Sequence, residues 1–267
     1  MQAIDRTARI LTALATCPDG MGVSELAREV GEAPSTVHRL LTALTQHDLA
    51  IQEADRRYRL GVAVLRLAQA FQRQDRLVTV ASPFLHALSE RTQESLFLSE
   101  LIGDDVVCVA SAESPRPLTY YMRPGGRLPY HASSSARAII AFRPQELATR
   151  LVAQETLIAF TERTPTTAVG ALREIERTYD RGYAICDDEM EVGVLALSVP
   201  VCNDHEALAS ITIVAPTHRL EPKVRADIVC LLEEAASAIE TSLGHRGVEH
   251  LLRLRTQRRP MDLRQVG

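Results

Sequence analysis

The chain has 267 residues, 46% hydrophobic and 24% charged, with a formal net charge of −4. That length suits two domains at roughly 100–200 residues each, and no stretch approaches the ~20 continuous apolar residues of a membrane-spanning helix, so no membrane partner is expected. Five scattered cysteines without a Cys-x-x-Cys pair argue against a disulfide framework or a zinc finger and read as reduced thiols.

The opening Met1-Gln2-Ala3-Ile4-Asp5-Arg6 has no basic segment followed by an apolar run, so no export signal is expected and a cytoplasmic location is predicted. Residues 1–74 carry nine Arg against eight acidic residues, a balance too even to identify a nucleic-acid binder by charge alone.

Ile4, Ala8, Leu11 and Ala15 recur at helical spacing, which predicts an amphipathic first helix over 3–16, stopped by Pro18-Asp19-Gly20. A short second helix starts after Gly22, with Glu25 three residues on, and Gly31 ends it. A third helix runs from about Pro34 to His47. Residues 48–60 then read as a hairpin turning near Asp55-Arg56. Helix, helix, turn, helix and hairpin is the order of a winged helix-turn-helix.

On the third helix, Val37, Leu40, Leu41 and Leu44 share one arc, while Ser35, Arg39, Thr42 and Gln46 lie opposite, with Thr36 and His38 on the flanks. The free arc offers an arginine for guanine O6 and N7 and hydroxyls for phosphates or base edges. Arg56 and Arg57 at the hairpin tip stand where a wing reaches phosphates or the minor groove. The expected DNA-contacting residues are therefore Ser35, Thr36, His38, Arg39, Thr42, Arg56 and Arg57, with double-stranded DNA as partner.

Residues 62–75 read as a linker helix. A further helix carries Leu77, Val80, Ala81, Leu85 and Leu88, with Pro83 near its middle able to kink or split it. From residue 95 the period changes to that of strands. A hairpin is expected over 96–110, turning at Gly103-Asp104-Asp105, with further strands at 118–123, 182–187, 194–201 and 207–214. Helices intervene at 134–142, 144–154 and 168–181, and a long helix from Pro222 closes at Gly244. These elements predict an α+β chain: a winged helix-turn-helix over 1–61, the linker helix, and over 76–244 an antiparallel sheet with helices packed on it. Residues 245–267, with six Arg, two acidic residues and no apolar face, read as a basic disordered tail.

Ser24-Glu25-Leu26-Ala27, Ser35-Thr36-Val37-His38-Arg39-Leu40-Leu41 and Tyr58-Arg59-Leu60-Gly61 resemble the DNA-binding half of the IclR family of bacterial transcription regulators. Leu128-Pro129-Tyr130-His131-Ala132-Ser133, Arg181-Gly182-Tyr183-Ala184, Asp188-Glu189 before Gly193, and Val199-Pro200-Val201 resemble its second half. The likeness spans residues 3 to 244. It implies a homodimer or homotetramer that binds operator DNA, more often as a repressor. It also implies that 76–244 is a GAF-like or profilin-like effector-binding and oligomerisation domain for a small molecule. Carried over position by position, the effector residues are Tyr120, Leu128, Ser134, Ser135, Asp187, Val194, Ala196, Thr212 and Val214. Three positions depart from the family pattern: Ala33-Pro34 replaces Pro-Lys, Ser134-Ser135-Ala136-Arg137 replaces small residues followed by Gly-Lys, and Ala196 replaces a cysteine.

Residues 131–137 admit three readings. A serine of 133–135 with His131 as base, oriented by Asp187, Asp188 or Glu189, would make a hydrolase, although no Gly-x-Ser-x-Gly elbow is present. The serines at the mouth of a helix, with Arg137 adding charge, would instead hold the carboxylate of an effector. Ser133 can also be a plain helix cap. Asp187 can accept a ligand hydroxyl, or bind a metal together with His131 and Glu189. The favoured reading is a regulator that is not an enzyme and takes no cofactor or metal, with the hydrolase kept as the alternative.

Overall fold

The computed structural model describes residues 2–116 and 122–245, and the chain divides after Gln74 into two compact units. In the first, α1 (Gln2–Thr16), α2 (Val23–Glu29) and α3 (Pro34–Gln46) precede an antiparallel hairpin of β1 (Ala50–Gln52) and β2 (Tyr58–Leu60), followed by α4 (Val62–Gln74). Ile10, Leu14, Leu26, Val30, Val37, Leu41, Leu44 and Tyr58 form its core. The Gly22 N–H donates to Glu25 Oε2 at 2.9 Å; because glycine has no side chain, only this half of a capping box forms. At Gly61 the chain passes so near Asp48 that a Cβ would collide with its carbonyl, which fixes the exit from the hairpin.

The second unit begins with α5 (Arg76–Thr92), which runs unbroken through Pro83. Asp75, assigned to the linker in the sequence reading, is instead the N-cap of α5: its Oδ1 accepts from Leu77 N at 2.9 Å and Val78 N at 3.2 Å. Such a cap contributes about 1 kcal/mol. Then come β3 (Ser95–Ile102), β4 (Asp105–Ala112), β5 (Arg127–Leu128), α6 (Ser134–Ile140), α7 (Gln145–Gln154), α8 (Ala168–Arg181), β6 (Ala184–Asp187), β7 (Val194–Cys202), β8 (Ala207–Pro216) and α9 (Pro222–Leu243). The strands form one antiparallel sheet in the order β5-β4-β3-β8-β7-β6.

Both faces of this sheet are covered, which is why its strands are apolar on both sides. Leu96, Leu98, Leu195, Leu197, Ile211 and Ile213 pack against α5 and α9. On the other face α6 lies across β7 and β8, and α8 and α7 pack outside it. The fold is α+β. Gly182, at φ +94° as the C-cap of α8, delays the strand expected from 182 until Ala184. The strand expected over 118–123 falls mostly outside the described residues; Met122 and Arg123, which are described, form no strand. The basic tail lies outside them from residue 246 onward. Among the described residues no helix is long and apolar enough to cross a membrane.

Glu100 of β3 lies beside Asp75, and burial first, then the neighbouring carboxyl, push its pKa from 4.5 up to about 8. A raised carboxyl makes the folded state bind a proton that the unfolded chain releases. The stability it contributes is therefore complete below pH 4.5 and declines as pH rises through about 8. The melting temperature of Glu100→Gln is expected to lose this part of the decline between pH 5 and 8.5; an unchanged pH profile would contradict the assignment.

Candidate functional site

In the first unit, α3 turns Val37, Leu41 and Leu44 inward and leaves Ser35, His38, Arg39, Thr42 and Gln46 exposed, with Thr36 half-buried. The wheel drawn from the sequence is thus the wheel observed. The Thr42 hydroxyl donates to the His38 carbonyl at 2.9 Å, so it faces outward as an acceptor. Arg56 is exposed at the hairpin turn with φ +65°. Arg57, expected as its companion at the wing tip, is turned back. Its Nη2 donates to Gly20 O at 2.7 Å and meets Glu25 Oε2 at 3.1 Å. The Gly22 N–H first, and the Arg57 charge second, hold the Glu25 carboxyl below the usual range. Arg57 therefore fastens the wing to the α1–α2 turn rather than reaching out. Ser24, His38, Gln52 and Arg56 line an open groove beside it.

In the second unit a pocket opens between the sheet and the start of α6. It brings together Leu128, Ser134, Ser135, Val194, Ala196, Thr212 and Val214 from the expected effector set. Tyr120 lies outside the described residues. Asp187 does not join them: side chains alternate along β6, so Cys186 faces the pocket and Asp187 the opposite side, where Arg225 Nη2 of α9 meets it at 3.2 Å. The sequence reading missed Phe97, Ser99, Cys186, Met122, Met190 and Glu191, which also line the pocket, as does Ser133, which it had weighed as a helix cap or a carboxylate contact. Strand alternation was the available signal for Phe97 and Ser99, two residues apart on β3.

Four hydroxyls along one wall form a chain. Ser198 donates to Ser134 at 2.8 Å, and Thr212 lies 2.7 Å from both Ser198 and Ser135. Each hydroxyl has one proton. With the Ser198 proton given to Ser134, Thr212 must donate to Ser198 and Ser135 to Thr212. The one proton left over is on Ser134, at the pocket. Ser133 Oγ caps α6, accepting from Ala136 N at 3.5 Å.

The catalytic pair does not form. His131 Nδ1 lies 2.8 Å from Glu155 Oε2 and Nε2 2.9 Å from Ile158 O, while its ring stacks on Phe160. Both nitrogens are thus engaged away from the serines, and no histidine or acid among the described residues hydrogen-bonds Ser133, Ser134 or Ser135. Arg137, expected to add charge at the pocket, is fully buried. Its Nη1 lies 3.1 Å from Glu189 Oε1, its Nη2 bonds the other Glu189 oxygen, and it also donates to the carbonyls of His131 and Ile185. Asp187, His131 and Glu189 are each engaged by a different partner, and no group of three His, Cys, Asp or Glu among the described residues is placed to hold a metal ion. The pocket thiol of Cys186 is pushed up to about 11 by burial first and Glu189 second, which leaves it a poor nucleophile.

The family model of the IclR helix-turn-helix domain matches residues 3–54, and that of the bacterial transcriptional regulator IclR C-terminal domain matches 68–241. The chain is 32% identical to the HTH-type transcriptional regulator BhcR of Paracoccus denitrificans, covering 82% of this chain and 79% of that one. It is 26% identical to the transcriptional repressor IclR of Escherichia coli, covering 91% and 90%. Among solved structures, an IclR homolog complexed with 4-hydroxybenzoate, from Microbacterium hydrocarbonoxydans, aligns with a TM-score of 0.77 at 26% identity, covering 90% of this chain and 98% of that one.

Breaking a buried ion pair by removing one partner strands the other charge, at a cost of about 3–5 kcal/mol. Glu189→Ala is expected to lower stability by that order in denaturant unfolding. A loss below about 1 kcal/mol, as for an exposed pair, would contradict the structural role assigned to Arg137.

Proposed function

Because the chain belongs to the IclR family of bacterial transcriptional regulators, we propose that it represses transcription by holding operator DNA through α3 and its wing, and that a small organic acid bound in the second unit relieves or sets that hold. The DNA-reading set in this proposal is Ser35, Thr36, His38, Arg39 and Thr42 with Arg56, while Arg57 supports the wing. Arg39 carries base readout, because a guanidinium can meet the O6 and N7 of guanine with two hydrogen bonds. Residues 1–61 serve as the DNA-binding domain, 62–75 as the linker and 76–244 as the effector-binding and oligomerisation domain of a homodimer or homotetramer.

The observation that carries the effector half is the pocket itself. It is a mostly apolar recess in which a few hydroxyls converge, as small-molecule sites commonly are. The carboxylate is assigned to the Ser134 hydroxyl and the adjoining backbone amides. Among the described residues the only charged one on the lining is Glu191, so the acid is held by neutral donors. The complex of the Microbacterium homolog with 4-hydroxybenzoate supports an organic acid of this general kind. A ligand can shift operator binding only by favouring one conformation over another, and the linker is the segment through which that preference reaches the DNA-binding domain.

Gel shifts on DNA from upstream of the protein's own or a neighbouring gene test the first half. Binding is expected to weaken steeply with salt as phosphate counterions are released, and Arg39→Ala is expected to weaken specific binding by about 1–3 kcal/mol, the worth of a bidentate base contact. No shift on any such fragment at low salt would sink the reading. A thermal-shift screen of organic acids tests the second half, because bound ligand stabilises the folded state as its concentration passes Kd. The stabilisation is expected to shrink in Ser134→Ala.

A further inference from the structure

His131 is 1% exposed, so the two nitrogens of its ring are satisfied by the protein itself. Nδ1 faces Glu155 Oε2 at 2.8 Å and Nε2 faces the Ile158 carbonyl at 2.9 Å. A carboxylate and a carbonyl only accept. A neutral imidazole has a single N–H and can meet one of them; the ring donates at both ends only as the imidazolium. The alternative, a protonated Glu155 donating to Nδ1, runs against the surroundings of that carboxyl. Its oxygens also accept from the backbone N–H groups of Tyr130 at 2.9 Å and His131 at 3.1 Å, and such bonds favour the ionised form.

The other ionisable groups around the ring come from α6, the loop before it and the segment that follows α7. Arg137 donates to the His131 carbonyl and brings a second positive charge, which Glu189 offsets. The Tyr130 phenol is pushed up to about 12 by burial first and Asp105 second, so it stays neutral at lower pH. Beyond the ring contacts, Arg163 meets Asp188 at 3.5 Å and Asp187 at 3.8 Å, and Glu162 is exposed. Glu155 and Ile158 begin a strap that runs to Thr164, with Phe160 stacked 5.8 Å from the imidazole. At its far end Thr161 and Thr164 donate to the carbonyls of Asp188 and Glu189, next to the pocket wall at Met190 and Glu191.

We propose that His131 is a positioning residue whose hold depends on a proton: with both ring protons it fastens the strap at Glu155 and Ile158, and on losing one it lets the strap go and loosens the wall formed by Met190 and Glu191. The carboxylate is the stronger acceptor, so the proton given up is the one on Nε2 and the contact released is that with Ile158 O. The hold weakens as pH rises. The latch stands on the ring's own contacts, whereas its effect on ligand binding rests on the reading of the pocket as an effector site.

Nitrogen NMR of the full-length chain reads the ring directly. At about pH 7.5, where a histidine in water has mostly lost its second proton, both nitrogens of His131 are expected to carry hydrogen; a bare nitrogen there would overturn the proposal. Hydrogen exchange, corrected for its intrinsic pH dependence, reads the strap through the amides of Phe160 and Thr161, which donate to the Thr164 hydroxyl. Their protection is expected to fall on the order of tenfold between about pH 6 and about pH 9, the worth of one hydrogen bond to a charged group, while the amides of β7 keep theirs. An equal loss in β7 would mark opening of the whole unit and would overturn the proposal, as would no loss at all. In His131→Gln, whose amide does not titrate, the step is expected to vanish. Glu100, raised to about 8, is still present in that variant, so a step that persists there would belong to another group and sink the latch. Should His131→Gln fail to fold, Glu155→Gln takes its place: without the carboxylate charge the ring gives up its proton sooner, and the step is expected to move to lower pH. An unmoved step would contradict the pairing. None of these readouts involves a ligand, so failure of the latch and failure of the pocket reading are told apart.

Discussion

A guanidinium without exposed surface must be matched by charge and hydrogen bonds on nearly every side, and Arg137 sets that requirement for the second unit. Meeting it draws together the loop before α6 through the His131 carbonyl, β6 through the Ile185 carbonyl, and the segment after β6 through Glu189. Those three segments surround the pocket. The helix that carries Arg137 also carries Ser134 and Ser135, so the same ion pair that anchors α6 fixes where its hydroxyls meet Ser198 and Thr212 on the sheet. A basic residue that looked available to a ligand is what holds the pocket-facing groups in place.

The strap from Glu155 to Thr164 reinforces this arrangement. Glu155 accepts from the backbone N–H groups of Tyr130 and His131 and pairs with the His131 ring. Further along, Thr161 and Thr164 donate to the carbonyls of Asp188 and Glu189. One wall of the pocket, Met190 and Glu191, thus follows directly on residues tied down from outside. The wing of the first unit is secured by the same kind of device, an arginine donating to backbone carbonyls and paired with an acid, as Arg57 does with Gly20 and Glu25.

What was legible in the sequence follows from how local each signal is. The exposed face of α3 could be read directly, because its period and its partners lie within thirteen residues. The bounds of α8 were equally plain, since Thr167 and Gly182 mark its ends locally. The α+β architecture came from strand periodicity together with a resemblance spread along the chain, and the expected pocket positions came from the resemblance alone. The misses were relations over distance. His131 finds its partner 24 residues away, Arg137 finds Glu189 52 residues away, and Arg57 reaches back 37 residues to Gly20. Residue type at one position does not say which charges will be taken by such pairs. The two-residue β5 is too short to show a period, and Asp187, carried over by the resemblance alone, is turned from the pocket by the alternation of side chains along β6, where Cys186 lines it instead.

The hydroxyl chain on the pocket wall has a direction, and that direction makes its members unequal. Ser135, Thr212 and Ser198 each pass a proton onward, and only Ser134 has one to spare. Replacing Thr212 with valine would free the proton of Ser135 and take from Ser198 the donor it receives, so the change would surface at two places that a ligand need not touch. Replacing Ser134 would remove the terminal donor and leave the upstream bonds standing. Such a wall behaves as a polarised wire with one live end, and the polarity of the pocket is a property of the whole wire rather than of the residue at its tip.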